Sequence, residues 1–227
     1  MSNIINGSKY KRSMPFVMID MEGVITPEIW IGIALSTGID ELKLTTRDIP
    51  DYSALMERRL KILLEHNITL PDIQNIIKGM DLLKGAREFL DWLRSQVQMI
   101  IVSDTFMEFS KPFIEKLGYP TILCHNLVVN EGGIIIDYQE RVLDQKKKTA
   151  LCFKMMNYEI IAIGDSYNDI GMIQEAKHGI FFRPPERITE EYSEFPVVHE
   201  YSQLKDLIIS YLKLDNKTAS TSSKPSL

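Results

Sequence analysis

The sequence predicts an α/β fold: a Rossmann-like, doubly wound parallel sheet with a small helical cap inserted after the first strand. Three short runs, Phe16-Val17-Met18-Ile19, Met99-Ile100-Ile101-Val102 and Ile160-Ile161-Ala162-Ile163, are apolar throughout and lack the alternation of a half-exposed strand. Such runs suit strands buried on both faces of a parallel sheet. Each is followed by a turn signal and then a helix-like segment, which is the rhythm of a doubly wound sheet. Residues 27–84, by contrast, carry helical patterns and no buried-strand run.

The first run ends at Asp20. In the insertion a helix is expected over 28–36, with Thr26 as N-cap, Pro27 at the first helical position and Glu28 in the first turn. A second helix is expected over 52–66 and a third over 71–80. Further strands are expected at 121–123, 180–182 and 197–198. Residues 126–141 read as a hairpin, Leu127-Val128-Val129 and Ile134-Ile135-Ile136 flanking Asn130-Glu131-Gly132-Gly133. The stretch 214–227 is rich in Ser, Thr and Lys and reads as a disordered tail. The expected organisation is an N-terminal extension (1–13), a core (14–26 plus 85–213), a helical cap (27–84) and the tail.

A length of 227 residues suits one such core with a modest insertion, and 44% apolar with 25% charged residues is ordinary for a globular chain. The net charge of −5 and the lack of a basic stripe argue against nucleic acid as a partner. An anionic substrate would need local positive charge. Cys124 and Cys152 lie far apart in apolar contexts and read as buried free thiols of a reducing compartment. The first residues carry Lys9, Lys11 and Arg12 without the apolar stretch of a signal peptide. No apolar run approaches the ~20 residues that span a bilayer, so a cytoplasmic protein with no membrane partner is expected.

In open α/β sheets, ligands bind beyond the carboxyl ends of the strands. There the sequence places Asp20-Met21-Glu22-Gly23-Val24, Ser103-Asp104-Thr105 and Gly164-Asp165-Ser166-Tyr167-Asn168-Asp169. Of two carboxylates spaced as Asp20 and Glu22, one can attack phosphorus and the other can serve as general acid and base. Asp165 can join Asp20 on a hard cation such as Mg2+. A hydroxyl such as Ser103, ahead of N–H groups entering a helix, can hold phosphate oxygens. The basic run Lys146-Lys147-Lys148 can supply the positive side chain that phosphoryl transfer needs.

In that order these pieces resemble the haloacid-dehalogenase-type phosphotransferases, whose pattern is Asp-x-Asp-Gly-Val/Thr, Ser/Thr, Lys, then Gly-Asp-x-x-Asn-Asp. The likeness spans about Pro15 to Leu212. It implies Asp20 as nucleophile, Glu22 as acid/base with its carbonyl on Mg2+, Ser103 as phosphate ligand and Asp165 as metal ligand. It further implies Asn168 as substrate contact, with Asp104 beside Ser103 included, and Asp169 as an acid behind the first ring of contacts. Lys146 is the best match to the bridging lysine of its run.

On the second cap helix, Leu55, Met56, Leu60, Ile62 and Leu63 form one stripe at ~100° per residue. Arg59 falls inside that stripe and Arg58 toward its edge. A charge there needs a partner: either a buried ion pair with a nearby acid, or a substrate carboxylate that the guanidinium grips bidentately. Glu28 either favours the helix dipole or meets a substrate ammonium. Phosphoserine phosphatases carry a Glu and an Arg in the cap for these purposes, and Glu28 and Arg59 match them. The runs Pro27-Glu28-Ile29-Trp30, 45–52 and Ser103-Asp104-Thr105-Phe106 are similar to a bacterial bifunctional subgroup. Its members hydrolyse phosphoserine and also pass its phosphoryl group to homoserine, which links serine and threonine biosynthesis. Glu22 in place of the usual Asp is shared with that subgroup. Tyr52, Thr105 and Phe106 are further pocket candidates. The competing readings are a phosphatase of another small metabolite and a non-catalytic, partner-binding relative.

Overall fold

A computed structural model describes residues 13–220 except 46, 47 and 50; of 213–220 it describes the backbone. The N-terminal extension up to residue 12, the end of the expected tail (221–227), and Thr46, Arg47 and Pro50 of the 45–52 run lie outside the described residues.

The strands are β1 (Met14–Ile19), β2 (Gln98–Phe106), β3 (Ile122–Val129), β4 (Ile135–Gln139), β5 (Tyr158–Gly164), β6 (His178–Phe182) and β7 (Val197–Val198). The helices are α1 (Ile29–Thr37), α2 (Tyr52–Glu65), α3 (Leu70–Gly79), α4 (Ala86–Gln96), α5 (Met107–Ser110), α6 (Gln145–Met155), α7 (Ile170–Glu175), α8 (Glu186–Glu191) and α9 (Tyr201–Ser220). The seven-stranded sheet has the order β4-β3-β2-β1-β5-β6-β7. All neighbours are parallel except the β3–β4 pair. β1 is central, with Ile19 in register with Ile101 of β2 and Ile163 of β5.

Successive strand residues point to opposite faces, and both faces of this sheet are covered. Val17, Ile19, Ile101, Ile161 and Ile163 pack in one core with Phe89 and Leu93 of α4 and Leu204 and Ile208 of α9. Phe16, Met18, Ile100, Val102, Ile160 and Ala162 pack in the other with Ala150 of α6 and Met172 and Ile173 of α7. That is the physical reason for the unbroken apolar runs; each large side chain so buried contributes about 1.5–3 kcal/mol. Between β1 and α4 come α1, a single 3-10 turn at Asp40–Lys43, α2 and α3, with no strand of the sheet. Asp51 caps α2 by accepting from the N–H groups of Ser53 and Ala54, and Thr69 and Asp72 form a capping box on α3. Among the described residues no helix is long and apolar enough to cross a membrane.

Several local expectations need correction. α1 starts at Ile29 with Glu28 as its N-cap residue, not at Pro27 with Thr26. Thr26 is occupied elsewhere: its N–H and hydroxyl both donate to the Met21 carbonyl, and its own carbonyl accepts from the Gly23 N–H. β2 does not stop at Val102 but continues through Ser103 to Phe106, so no helix opens at Ser103. A register shift between Val102 and Phe106 lets Phe106 pair with His125 of β3. Residues 122–129 form one strand, so the hairpin's first arm belongs to the strand expected at 121–123. Cys124 is buried but Cys152 is exposed; at ~100° per residue it faces away from Ala150, which α6 turns to the core. α9 continues to Ser220, past the expected start of the tail at 214.

Candidate active site

Because β1 lies between β2 and β5, the chain beyond these three strands converges on one crevice. The Asp20 N–H donates to the Ile163 carbonyl at 2.9 Å. The loop then turns at Gly23, whose φ of 75° lies in the left-handed region. A Cβ there would stand 2.2 Å from Asp165 Oδ2, so glycine is needed for space as well as conformation. From the far side, Tyr201 of α9 stacks between Phe89 and Phe182 and donates its hydroxyl to the Val24 carbonyl at 2.6 Å. The loop is thereby tied to the core on both sides.

Lys146 lies in the first turn of α6, one helical turn before Ala150, and faces inward with it. It is 2% exposed. Its Nζ is 2.7 Å from Asp169 Oδ1, 2.9 Å from Asp20 Oδ1 and 3.7 Å from Asp104 Oδ2. Lys147 and Lys148 are exposed, with Lys147 directed at Glu175. The geometry therefore singles out Lys146 from the basic run. Fully buried Asp169 also accepts from the backbone N–H groups of Asp165 and Ser166, at 2.9 and 3.1 Å. Asp104 accepts from Asn168 Nδ2 at 2.8 Å.

Carboxylate oxygens of Asp20, Asp165 and Asp169 all lie within 4.8 Å of one another. Burial, then Asp169, push Asp20 well above the usual carboxyl range, against the pull of Lys146. The same two causes push Asp165 up to about 7. Lys146 Nζ forms an ion pair with Asp20 Oδ1, and this buried oxygen has no hydrogen-bond partner besides that contact. Crowded carboxyls and a buried oxygen without a further donor are relieved by a hard divalent cation with oxygen ligands. The residues present fit such an ion. Asp169 is committed to Lys146 and two N–H groups, which leaves Asp20 and Asp165 as the available side-chain ligands.

Glu22 faces the other way. Its Oε2 accepts from the Ile29 N–H at 2.9 Å, so its carboxylate stands over the first turn of α1 where Thr26 was expected to cap. Burial, then the nearby Glu28, push its carboxyl up to about 7; the Ile29 N–H, the Thr105 hydroxyl and Arg59 act in the opposite direction.

A cavity of about 760 Å³ opens over these groups. Asp20, Glu22, Ser103, Asp104, Lys146, Asp165 and Asn168 line it from the core side, and Glu28 and Arg59 from the helical segment. Arg59 is 7% exposed. Its Nη2 donates to the Leu44 carbonyl at 2.8 Å, its guanidinium stacks 4.5 Å over the Trp30 ring, and its Nε has no partner. Among the described residues no carboxylate forms an ion pair with it, whereas exposed Arg58 pairs with Glu41 at 2.6 Å. The helix-face reading separated these two arginines correctly, and the alternative of a buried ion pair for Arg59 is not what the structure contains. Tyr52 and Thr105 also line the cavity; Phe106 instead packs edge-on against Phe109 and Tyr138.

Several lining residues were given no role by sequence reasoning, among them Trp30, His125 and Gln145. The Gln145 amide donates to the Ser103 carbonyl of β2 at 3.0 Å and to the Leu123 carbonyl of β3 at 3.4 Å. His125 and Asn126 interrupt an apolar strand, and a polar pair inside such a run was the available signal.

A family model of haloacid dehalogenase-like hydrolases matches residues 49–174. The chain is 48% identical over 207 residues to phosphoserine phosphatase ThrH of Pseudomonas aeruginosa, covering 91% of this chain and 100% of that one. It is 49% identical over 199 residues to a phosphoserine phosphatase of Pseudomonas syringae pv. tomato, covering 88% and 83%. A solved phospho-aspartyl intermediate analogue of phosphoserine phosphatase superposes with a TM-score of 0.69 at 20% identity, covering 86% of this chain and 99% of that one; this likeness bears on the fold. With the family model matched over more than half its length and relatives aligned along most of it, the chain belongs to the haloacid dehalogenase-like hydrolases.

Proposed function

We propose that this protein is a magnesium-dependent phosphoserine phosphatase, acting in the cytoplasm, that also transfers the phosphoryl group of phosphoserine to homoserine. The observation that carries the substrate reading is Arg59. A guanidinium buried without a carboxylate partner, in the same cavity as Asp20, is suited to a carboxylate brought by the ligand. Glu28, which lines the same cavity, would take the ammonium group, and the relatives' names agree with a phosphorylated amino acid.

In the first step a carboxylate oxygen of Asp20 attacks phosphorus and the bond from phosphorus to the serine oxygen breaks. Glu22, whose carboxyl holds its proton near neutrality, gives that proton to the departing oxygen. In the second step Glu22 takes a proton from water, or from the homoserine hydroxyl, as that oxygen attacks phosphorus. Asp20 is released together with phosphate or phosphohomoserine. Lys146 offsets charge on the transferring group, and the Ser103 hydroxyl and Asn168 amide position its oxygens. Asp104, whose carboxylate engages Asn168 and Lys146, acts through these neighbours. Asp20, Asp165 and the backbone carbonyl of Glu22 would hold Mg2+, which when bound neutralises phosphate charge. Asp169 keeps Lys146 and the 165–166 backbone in place.

The test is incubation with phosphoserine and Mg2+, with and without homoserine, measuring phosphate and phosphohomoserine. Turnover lost in Asp20→Asn supports the reading. No release of phosphate from phosphoserine by the native protein rejects the substrate, and no phosphohomoserine rejects the transfer.

A further inference from the structure

His125 is 4% exposed, in the middle of β3 opposite Phe106, and the proposed chemistry makes no use of it. Its surroundings define which nitrogen carries hydrogen. Nδ1 accepts from the Arg141 backbone N–H at 3.1 Å, so in the neutral ring the hydrogen resides on Nε2. Nε2 faces Asp104 Oδ1 at 3.6 Å. The second oxygen of the same carboxylate accepts from Asn168 and lies 3.7 Å from Lys146 Nζ. Lys146 in turn is 2.9 Å from Asp20. The ring thus stands at the start of a chain, His125–Asp104–Lys146–Asp20, with Asn168 as a branch. Burial opposes ionisation of Asp104, yet Lys146, His125 and Asn168 together hold it below the usual carboxylate range.

Asp104 needs such a hold. It sits in the stretch where β2 slips register against β3, between Val102 and Phe106, so no regular ladder determines where its side chain goes. It also lines the crevice that would receive a phosphate, and an unrestrained carboxylate there would repel it. A donor on the β3 side draws one oxygen back and leaves the other for Asn168 and Lys146.

We propose that His125 is a positioning residue that uses its Nε2 hydrogen to orient Asp104, and through Asp104 to place Lys146 and Asn168 for phosphoryl transfer. The inference rests on the phosphoryl-transfer reading of this site, but not on phosphoserine as substrate.

Two conservative variants separate its two contacts. His125→Asn keeps an acceptor where Nδ1 meets Arg141 but cannot reach Asp104. His125→Gln places an amide donor near the position of Nε2 but gives up the acceptor. At 3.6 Å the Nε2–Oδ1 contact is longer than a hydrogen bond; drawn in to a charge-assisted hydrogen bond when the site is loaded, it corresponds to about a tenfold or larger effect. Accordingly kcat is expected to fall about 10–50-fold in His125→Asn with KM within about twofold, and to stay within about threefold of native in His125→Gln. In an Asp104→Asn background, His125→Asn is expected to add less than about twofold, because the group it acts through is already gone. Each variant is assayed with phosphoserine and with p-nitrophenyl phosphate, alongside its melting temperature. A native enzyme that turns over only p-nitrophenyl phosphate would sink the substrate assignment while leaving this comparison readable. Equal loss in the Asn and Gln variants, or a full multiplicative loss in the double variant, would overturn the positioning role and leave His125 as a packing residue.

Discussion

Arg59→Met should weaken recognition of phosphoserine while making the protein more stable. Burial brings the Arg59 guanidinium down to about 10, with Tyr52, Glu22 and Glu28 acting against the shift. Relative to its ordinary value this is roughly 3 kcal/mol of disfavour toward the charged form. Methionine keeps an unbranched stem in the same apolar stripe and removes that burden. Against it stand the loss of stacking on Trp30 and of the bond to the Leu44 carbonyl, together roughly 1–2 kcal/mol. The balance is a gain of roughly 1–2 kcal/mol, or about 2–8 °C in Tm for a chain of this size. On the functional side, losing a bidentate grip on a carboxylate should remove about 3 kcal/mol, or about a hundredfold in kcat/KM for phosphoserine. Phosphoethanolamine lacks that carboxylate, so its kcat/KM should stay within about threefold. The assay is therefore the ratio of kcat/KM for the two substrates in native protein and variant, with a thermal melt beside it. Equal losses on both substrates would mean that Arg59 serves the phosphoryl centre rather than the amino-acid end, and would refute the clamp.

Removing divalent metal with a chelator should abolish turnover, and adding Mg2+ at about a hundred times its Kd should stabilise the protein by about 2.7 kcal/mol, roughly 5–11 °C in Tm. The shift should vanish in Asp165→Asn, and an Asp165→Asn protein that still responds fully would remove that residue from the ligand set. Glu22→Asp withdraws the carboxylate from the Ile29 N–H and changes its reach by roughly a bond length, a displacement that catalytic geometry feels. The share of phosphoserine hydrolysed by water should rise over that passed to homoserine, read as phosphate against phosphohomoserine; an unchanged ratio would separate acceptor choice from the length of this side chain.

What was legible in the sequence was local or periodic. Burial on two faces makes an unbroken apolar run, so the cores of β1, β2 and β5 and the acids beyond them could be read directly. The 3.6-residue period placed Arg59 inside the apolar stripe of α2 and Arg58 toward its edge, and the structure buries the first and exposes the second. What was not legible depends on contacts distant in sequence. Nothing near residue 103 says that β2 will continue to Phe106, because that length comes from pairing with His125 after a register shift. Nothing near Thr26 says that its N–H will turn back to Met21, leaving the Glu22 carboxylate to receive the Ile29 N–H. The choice of Lys146 over its two neighbours required knowing which side of α6 meets the sheet.

The distribution of buried polarity separates structural from chemical roles. Thr26 and Ser110 are buried away from the cavity, and each gives its hydroxyl to a carbonyl of its own segment, Met21 and Met107; both are satisfied where they stand. The other buried polar or charged residues named among those described, Asp20, Arg59, Ser103, Thr105, His125, Gln145, Lys146 and Asp169, line the cavity or, for Asp169, bind a residue that does. Packed apolar side chains in place of a buried ionic cluster are often neutral or stabilising, so stability alone does not account for this concentration. The sign of the charge matters too. Around the Lys146 ammonium stand Asp20, Asp104 and Asp169, with Asp165 beside them, and this excess of acid would repel an incoming phosphate dianion. Under the proposed function, phosphate and cation therefore have to favour one another's binding, and by linkage the factor by which Mg2+ tightens phosphate must equal the factor by which phosphate tightens Mg2+.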